Sequence, residues 1–314
     1  MSIYIAVDVG GTQLRVATFT EVGITPRQQA RIPTKSAQGK TIDRLMDLIA
    51  SVWPVDDRVA AIGVAAPGPT NPRLGIVYKA PNIPDWVDLP LRQILEDRFN
   101  VPVCLGNDAN LAALGEWRFG AGQGRHNILY LTISTGIGAG VICDGHLLLG
   151  ENGLAGELGH ITVLPDGPVC GCGQRGHLEA LSSGTAIAAY VTAELAKGRE
   201  SSLSATLNPN AREISRAAKQ GDPLAIEAFA RAGKYLGIAI TSFLHSLNPS
   251  MIILGGGVSQ SGHLLIDPAE AVVRASVMAP EYLNDLIITT AALGDNAGLL
   301  GALALVRSTE REVI

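Results

Sequence analysis

Long basic runs and long apolar runs are both missing from this 314-residue chain. Without a Lys/Arg-rich stretch, and with a formal net charge of −5, the sequence has no footprint for nucleic acid. No uninterrupted apolar stretch approaches the ~18 residues that a membrane-crossing helix needs, so no membrane partner is expected. The opening Met1–Asp8 has no basic n-region, and Asp8 breaks its apolar run, which argues against a secretory signal. Cysteine is scarce too. Four in a chain of this length make no disulfide framework, and they suit a reducing cytoplasm. Aromatic residues are only 4%, so the apolar content of 47% is mostly aliphatic.

What is present indicates a folded α/β protein. Charged residues at 17% exclude disorder, and the length allows two cores. The 36 glycines cluster after apolar strands, where backbone can approach a ligand. Ile3–Val9, Gly10-Gly11-Thr12 and Leu14–Thr20 read as strand, turn, strand, with Gln28–Lys35 extending the meander. Helices are expected over 41–53, 91–100, 110–119, 185–196 and 223–246, and from about 296. Strands are expected over 59–66, 101–105, 251–254 and 286–292. Asn127–Ser134, Thr135–Gly138 and Ala139–Cys143 repeat the opening pattern. Two βββαβα-like halves follow, facing each other across a cleft. The first is expected over 1–118, with 296–314 packing back on it, and the second over 119–295. Ser201–Pro209 is the expected mobile loop.

The densest chemistry lies between Gly156 and Glu179. His160, Cys170, Cys172 and His177 fall within 18 positions and alternate with Glu157 and Glu179. Two cysteines and two histidines suit tetrahedral Zn²⁺ with no position left for water, a structural rather than a catalytic site. Isolated core residues are the plainer alternative, since Cys-x-Cys is tighter than common zinc knuckles. Cys104 and Cys143, in apolar strand-like runs, read as buried thiols.

The other motifs divide similarly between ligand binding and local structure. Gly10, Gly11 and Thr12 can present N–H groups and a hydroxyl to phosphate, with Arg15 as a clamp and Asp8 holding Mg²⁺ through water; an ordinary hairpin is the alternative. Thr135 and Gly136 repeat that equipment. Gly255–Gly257 could lie flat against a nucleoside or simply open a helix. Ala66–Pro69, including Gly68, and Ala80–Asn82 are rigid loops that either offer polar groups to a polyol or only turn the chain. Asp108 either caps a helix or projects as a general base.

Taken in order, these motifs resemble those of the ROK family (repressors, open reading frames, kinases) along nearly the whole chain. The match runs through Asp8–Thr12 with Arg15, Ala66–Pro69, Ala80–Asn82, Asn107–Asn110 and Thr135–Gly140. It continues through Glu157–His160, Cys170–Gly173, Gly176, Glu179 and Leu254–Gly257. The resemblance implies the two-lobed actin-like ATPase fold of the sugar kinase/Hsp70/actin superfamily. It implies Asp108 as the base that deprotonates a sugar hydroxyl, and Gly68, Asn82, Asn107, Glu157, His160 and Glu179 as sugar ligands. Asp8, Gly10, Gly11, Thr12, Arg15, Thr135 and Gly136 would surround Mg-ATP phosphates, with Gly256 near the adenosine. The family's zinc set is one His and three Cys. Here His177 stands where the third Cys is expected, giving Cys₂His₂.

The expected activity is an ATP-dependent hexokinase that phosphorylates the 6-hydroxyl of glucose. Fructose, mannose, N-acetylglucosamine or N-acetylmannosamine are alternative acceptors, and polyphosphate is an alternative donor. A sugar-responsive repressor is the other class of reading, disfavoured by the acidic charge and by a phosphate hairpin that starts at residue 3. The resemblance also implies a homodimer, and residues 223–246 could supply its face or equally be core. Sugar binding is expected to bring the two halves together.

Overall fold

The computed structural model describes residues 2–37 and 39–309. In chain order it opens with β1 (Ser2–Val9), β2 (Gln13–Phe19), β3 (Gln28–Pro33), α1 (Thr41–Ser51) and β4 (Arg58–Ala66). A small antiparallel sheet follows, of β5 (Thr70–Asn71), β6 (Ile76–Lys79) and β7 (Val87–Leu89). Then come α2 (Leu91–Phe99), β8 (Val103–Asn107) and α3 (Asp108–Phe119). The main sheet has the order β3-β2-β1-β4-β8, antiparallel through β3, β2 and β1 and parallel from β1 to β8. Its β4 is buried along nearly its whole length, as a strand covered on both faces must be.

The second half begins with β9 (Ile128–Ile133), β10 (Ile137–Cys143) and β11 (His146–Leu147). After a long irregular segment come α4 (Glu179–Ser182), α5 (Gly184–Ala196), α6 (Ala211–Lys219) and α7 (Pro223–Leu247). The chain ends through β12 (Met251–Gly255), α8 (His263–Ser276), β13 (Ile287–Thr290) and α9 (Ala297–Thr309). The sheet order β11-β10-β9-β12-β13 repeats the first, strand for strand. This is the duplication expected from the echoed hairpins.

Two compact units result. One comprises Met1–His126, Gly140–Gly156 and Ala292–Ile314; the other comprises Asn127–Ala139 and Glu157–Ala291. Residues 119–126, 140–156 and 292–295 thus group with the first unit, where the sequence boundary puts them in the second. α9 also belongs to the first unit. Gly115 and Gly301 let α3 and α9 touch backbone to backbone, since a Cβ on either would strike the other helix. The expected helix tail 310–314 lies outside the described residues.

In the second unit α7 is core: Phe229, Leu236, Ile240 and Leu244 are fully buried. Gly233 and Gly237 bring its backbone against that of α8 at Leu265 and Ala269. Residues 223–246 are therefore largely committed to the interior of their own unit. The loop at 201–209 is tethered at its start, because Ser201 Oγ and the Ser202 N–H and hydroxyl all donate to Asp222, the N-cap of α7. No disulfide links the four cysteines; Cys104 is half-buried and Cys143 exposed, so Cys143 is not the buried thiol expected. No helix among the described residues is long and apolar enough to cross a membrane.

Candidate functional site

In the first unit the site grows from the β1–β2 hairpin. Gly10 N–H donates to Gln13 O, closing the turn, while Thr34 donates its N–H to Thr12 O and its hydroxyl to Gly10 O. Both carbonyls are thereby occupied, and the turn offers the N–H groups of Gly11 and Thr12 outward. That polarity suits an anion. Gly11 packs under the exposed Asn82 amide, where any Cβ would meet Nδ2 at 2.7 Å.

Asp8 lies at the end of β1, opposite Arg15 of β2. Burial pushes its carboxyl up to about 6, with Arg15 pulling it down and Asp295 pushing it further up. A half-buried acid held at this cost is an oxygen donor suited to a hard cation. Gly298 of α9 gives it room, since a Cβ there would sit 2.9 Å from Asp8 Oδ1. Arg15 is engaged otherwise than the expected phosphate clamp. Its guanidinium donates to Asp295 O and Asn296 Oδ1 and lies 3.6 Å from Asp8. It braces Asp8 against the start of α9.

Asn107 and Asp108 sit where β8 becomes α3. Asn107 is the N-cap: its Oδ1 accepts from Ala109 N at 3.0 Å and Asn110 N at 3.1 Å. Its Nδ2 donates to Gly68 O at 3.0 Å. The Asn107 amide is therefore occupied by the loop, rather than held ready for a sugar. Asp108 occupies the first helical position, with Oδ1 accepting from Ala109 N at 2.8 Å, and is half-buried. Cap and carboxylate are thus separate residues, and Asp108 gains from the helix N-terminus without being its cap. Gly68 has φ +80, and a Cβ there would collide with Lys79 O.

Sequence reasoning missed Glu116. It is fully buried on α3, and its carboxylate accepts from the N–H groups of Ala121, Ala292 and Leu293. It fixes the segment leading to Asp295 and Asn296, and so the partners of Arg15. The available signal was a lone acid inside the apolar run Leu111–Phe119.

In the second unit the β9–β10 turn has different supports. Ser134 N–H donates to Gly136 O, Thr185 Oγ1 donates to Thr135 O, and Gly184 N–H donates to Ser134 O. Ile137 N–H donates to Glu179 Oε2 at 2.9 Å, and a Cβ on Gly136 would run into that same oxygen. Gly256, with φ +82, lies flat on the Ile133 peptide. A cavity of about 740 Å³ opens beside this turn, floored by Thr135, Gly184, Gly257 and Gln260 and edged by α6.

The Cys/His set converges. The ligand atoms of His160, Cys170, Cys172 and His177 all lie within 4.8 Å of one another. The two Nδ1 atoms are 3.3 Å apart, Cys172 Sγ is 3.3 Å from His177 Nδ1, and Cys170 Sγ is 3.7 Å from His160 Nδ1. A zinc tetrahedron with ~2.05 Å bonds to nitrogen and ~2.3 Å to sulfur has edges of about 3.3 Å (N to N) and 3.5 Å (N to S). The residues fit zinc. The set is held by a knuckle in which Cys170 N–H donates to Gln174 O and Gly173 N–H to Cys170 O. With Nδ1 turned into the cluster, His160 keeps Nε2 on the opposite edge of its ring.

Glu157 and Glu179 flank this cluster. Desolvation raises the Glu157 carboxyl, His160 lowers it and Glu179 raises it again. Glu179 Oε1 lies 3.3 Å from Cys170 Sγ while Oε2 holds Ile137, so both of its oxygens have protein partners.

Comparisons with known proteins agree with this inventory. A profile of the ROK family matches residues 4–309. A glucokinase of Halalkalibacterium halodurans is 36% identical over 99% of this chain and 96% of its own. The crystal structure of a ROK family glucokinase from Streptomyces griseus, in complex with glucose and AMPPNP, superposes with a TM-score of 0.77. It is 36% identical over 96% of this chain and 97% of that one. A ROK family transcriptional regulator, a homologue of the E. coli MLC protein, gives a TM-score of 0.87 at 31% identity. It matches 98% of this chain but only 78% of the regulator.

Proposed function

We propose that this chain, which belongs to the ROK family, is an ATP-dependent hexose kinase that phosphorylates the 6-hydroxyl of glucose. The carrying observation is that its likeness to glucokinases spans both partners nearly end to end, with a carboxylate opening α3 and a Gly-containing turn closing each hairpin. The regulator is matched over a smaller share of its length, which supports the kinase reading over the repressor one.

In this reading Asp108 accepts the proton of the sugar hydroxyl as its oxygen attacks the γ-phosphorus, and ADP leaves. The turns at Gly10–Thr12 and Thr135–Gly136 steady the phosphates, and the cavity beside Gly256 takes the nucleoside. Mg²⁺ on Asp8, through water, would neutralise phosphate charge. Asn82, Glu157, His160 and Glu179 would orient the sugar, as would Gly68 and Asn107, whose polar atoms now serve the α3 cap. For Glu179 this role requires release from Ile137 or Cys170.

Zinc in the Cys170, Cys172, His160, His177 set would hold His160 with Nε2 outward. Glucose is preferred here on the likeness to glucokinases; other hexoses and N-acetylhexosamines differ from it at hydroxyls these residues would bind. Cytoplasmic location and a homodimer complete the reading, supported by the thiol chemistry and the family resemblance respectively.

The test is ADP release with Mg-ATP over a panel of hexoses, comparing wild type with Asp108→Asn. Glucose is expected to be preferred, and the variant to lose on the order of 10²–10⁴ in kcat. A folded, metal-loaded protein that turns over no sugar would refute the kinase reading. Sedimentation at equilibrium, with a dimer expected, checks the assembly.

A further inference from the structure

Glu116 does more than the end of a helix requires. It lies in the last turn of α3, fully buried, and none of the ion pairs among the described residues includes it. Taking a lone carboxylate out of water is costly unless several donors converge on it. Three do. Oε2 accepts from Ala121 N at 2.9 Å and Ala292 N at 3.1 Å, and Oε1 accepts from Leu293 N at 2.8 Å. Gly120 admits the carboxylate, since a Cβ there would strike Oε2. Ala121 is a local partner, but Ala292 and Leu293 lie 176 and 177 residues away, so closing α3 does not account for them. An amide could not reproduce the set, because an NH2 in place of either oxygen would face an N–H.

The distant pair leads into an exposed turn at 294–296, whose far end is fixed by the close approach of Gly115 to Ala297 O in α9. Between these two anchors, Asp295 O and Asn296 Oδ1 accept from the two terminal nitrogens of Arg15. Arg15 Nη1 stands 3.6 Å from Asp8 Oδ2, beyond hydrogen-bond distance. With its donors committed to the turn, Arg15 lies beside Asp8 without closing on it. Every residue in this relay belongs to the first unit.

We infer that Glu116 is a positioning residue for the metal-dependent step: by anchoring Ala292 and Leu293 it holds the turn that draws Arg15 aside, and so leaves the Asp8 carboxylate open to Mg²⁺. With the anchor lost, Arg15 is released to pair directly with Asp8 and to compete with the cation. This rests on the kinase reading above and adds to it a residue outside the ligand set assigned there.

The experiment measures binding of non-hydrolysable AMPPNP to the zinc-loaded full chain by isothermal titration calorimetry, with and without Mg²⁺. Glucose 6-phosphate formation from Mg-ATP is followed for the same proteins, and folding is checked by melting temperature. Glu116→Gln is expected to weaken binding of the Mg²⁺ complex about tenfold, the lower end of what outer partners contribute at metal sites, while metal-free AMPPNP binds as before. The Mg²⁺ concentration for half-maximal rate should rise by a similar factor, with KM for glucose unchanged. Asn296→Ala, an exposed change that spares the buried carboxylate, should shift Mg²⁺-dependent binding in the same direction even where a Glu116 variant fails to fold. In an Arg15→Gln background the Glu116→Gln effect should vanish, because no cation is left to release. A purely structural role would lower the melting temperature and leave the Mg²⁺ dependence unmoved. Unmoved Mg²⁺ dependence in Asn296→Ala or in a folded Glu116→Gln protein, or an effect that persists in the Arg15→Gln background, overturns the inference. The kinase reading then stands so long as wild type forms glucose 6-phosphate. Wild type that forms none overturns both.

Discussion

The hairpin turns of β1–β2 and β9–β10 occupy the same place in two sheets of the same strand order, yet they are held in opposite ways. The first is braced from nearby in the chain by Thr34, which holds the carbonyls of Gly10 and Thr12, while Asp8 faces Arg15 across the strand pair and Arg15 reaches on to Asn296. The second contains no charge of its own. Glu179, 42 residues further on, reaches back to Ile137 and leaves only enough room for a glycine at 136. Duplication thus preserved a backbone shape while the support diverged. A turn whose carbonyls are held by a threonine next to its own sheet keeps its shape locally, whereas a turn held by a distant carboxylate depends on whatever fixes that carboxylate. Here that is the segment with the Cys/His cluster.

The comparison breaks most severely if the cluster is dismantled. Cys172→Ser is expected to abolish zinc binding, measured by metal analysis, and to lower the melting temperature by roughly 3–5 °C, the scale of ~2–3 kcal/mol in a chain of this length. An unchanged metal content and melting point would remove the cluster from the argument. Next in size, Gly136→Ala drives a Cβ into a carboxylate fixed at both oxygens, and kcat/KM for ATP should fall on the order of a hundredfold. Gly11→Ala meets the exposed Asn82 side chain, most closely at its Nδ2, and because that side chain can swing away should cost about tenfold or less. Equal effects at the two glycines would mean the turns are supported alike.

A smaller effect marks the tether outside both turns. Asp222 caps α7, and although burial raises its carboxyl, donors from Ala225, Ser202 and Ser201 outweigh this and hold it at about 2. Its folded value lies below the ordinary 3.8, so its stabilisation is present above pH ~4 and is lost as pH falls towards 2. Asp222→Ala should cost ~1–2 kcal/mol near neutrality, read by urea unfolding, with the difference from wild type shrinking over that acidic window. A constant difference across it would assign the loss to packing.

Much of this was legible without coordinates. The elements expected over 41–53, 59–66, 91–100, 185–196 and 223–246, from period and from Gly and Pro punctuation, stand at 41–51, 58–66, 91–99, 184–196 and 223–247, because their apolar faces repeat regularly. The helix α8 was missed because Pro268 sits inside it, and α6 because nine largely polar residues give too short a pattern. The three short strands β5–β7 fell below any usable period.

The sequence by itself determined the chemistry: which acids, glycines, cysteines and histidines are present, and that two halves repeat one plan. Whether Asp108 caps α3 was left open by the sequence, and the structure gives the cap to Asn107. Only tertiary structure decided which atoms meet. Arg15 turns to Asn296, 281 residues away; buried Glu116 gathers Ala121, Ala292 and Leu293; the ligand atoms of two cysteines and two histidines come within 4.8 Å of one another. Backbone propensity and hydrophobic period act over a few residues, so they write themselves into the chain. Hydrogen bonds and metal geometry act over a few ångströms between residues the fold brings together, and no sequence spacing records that distance.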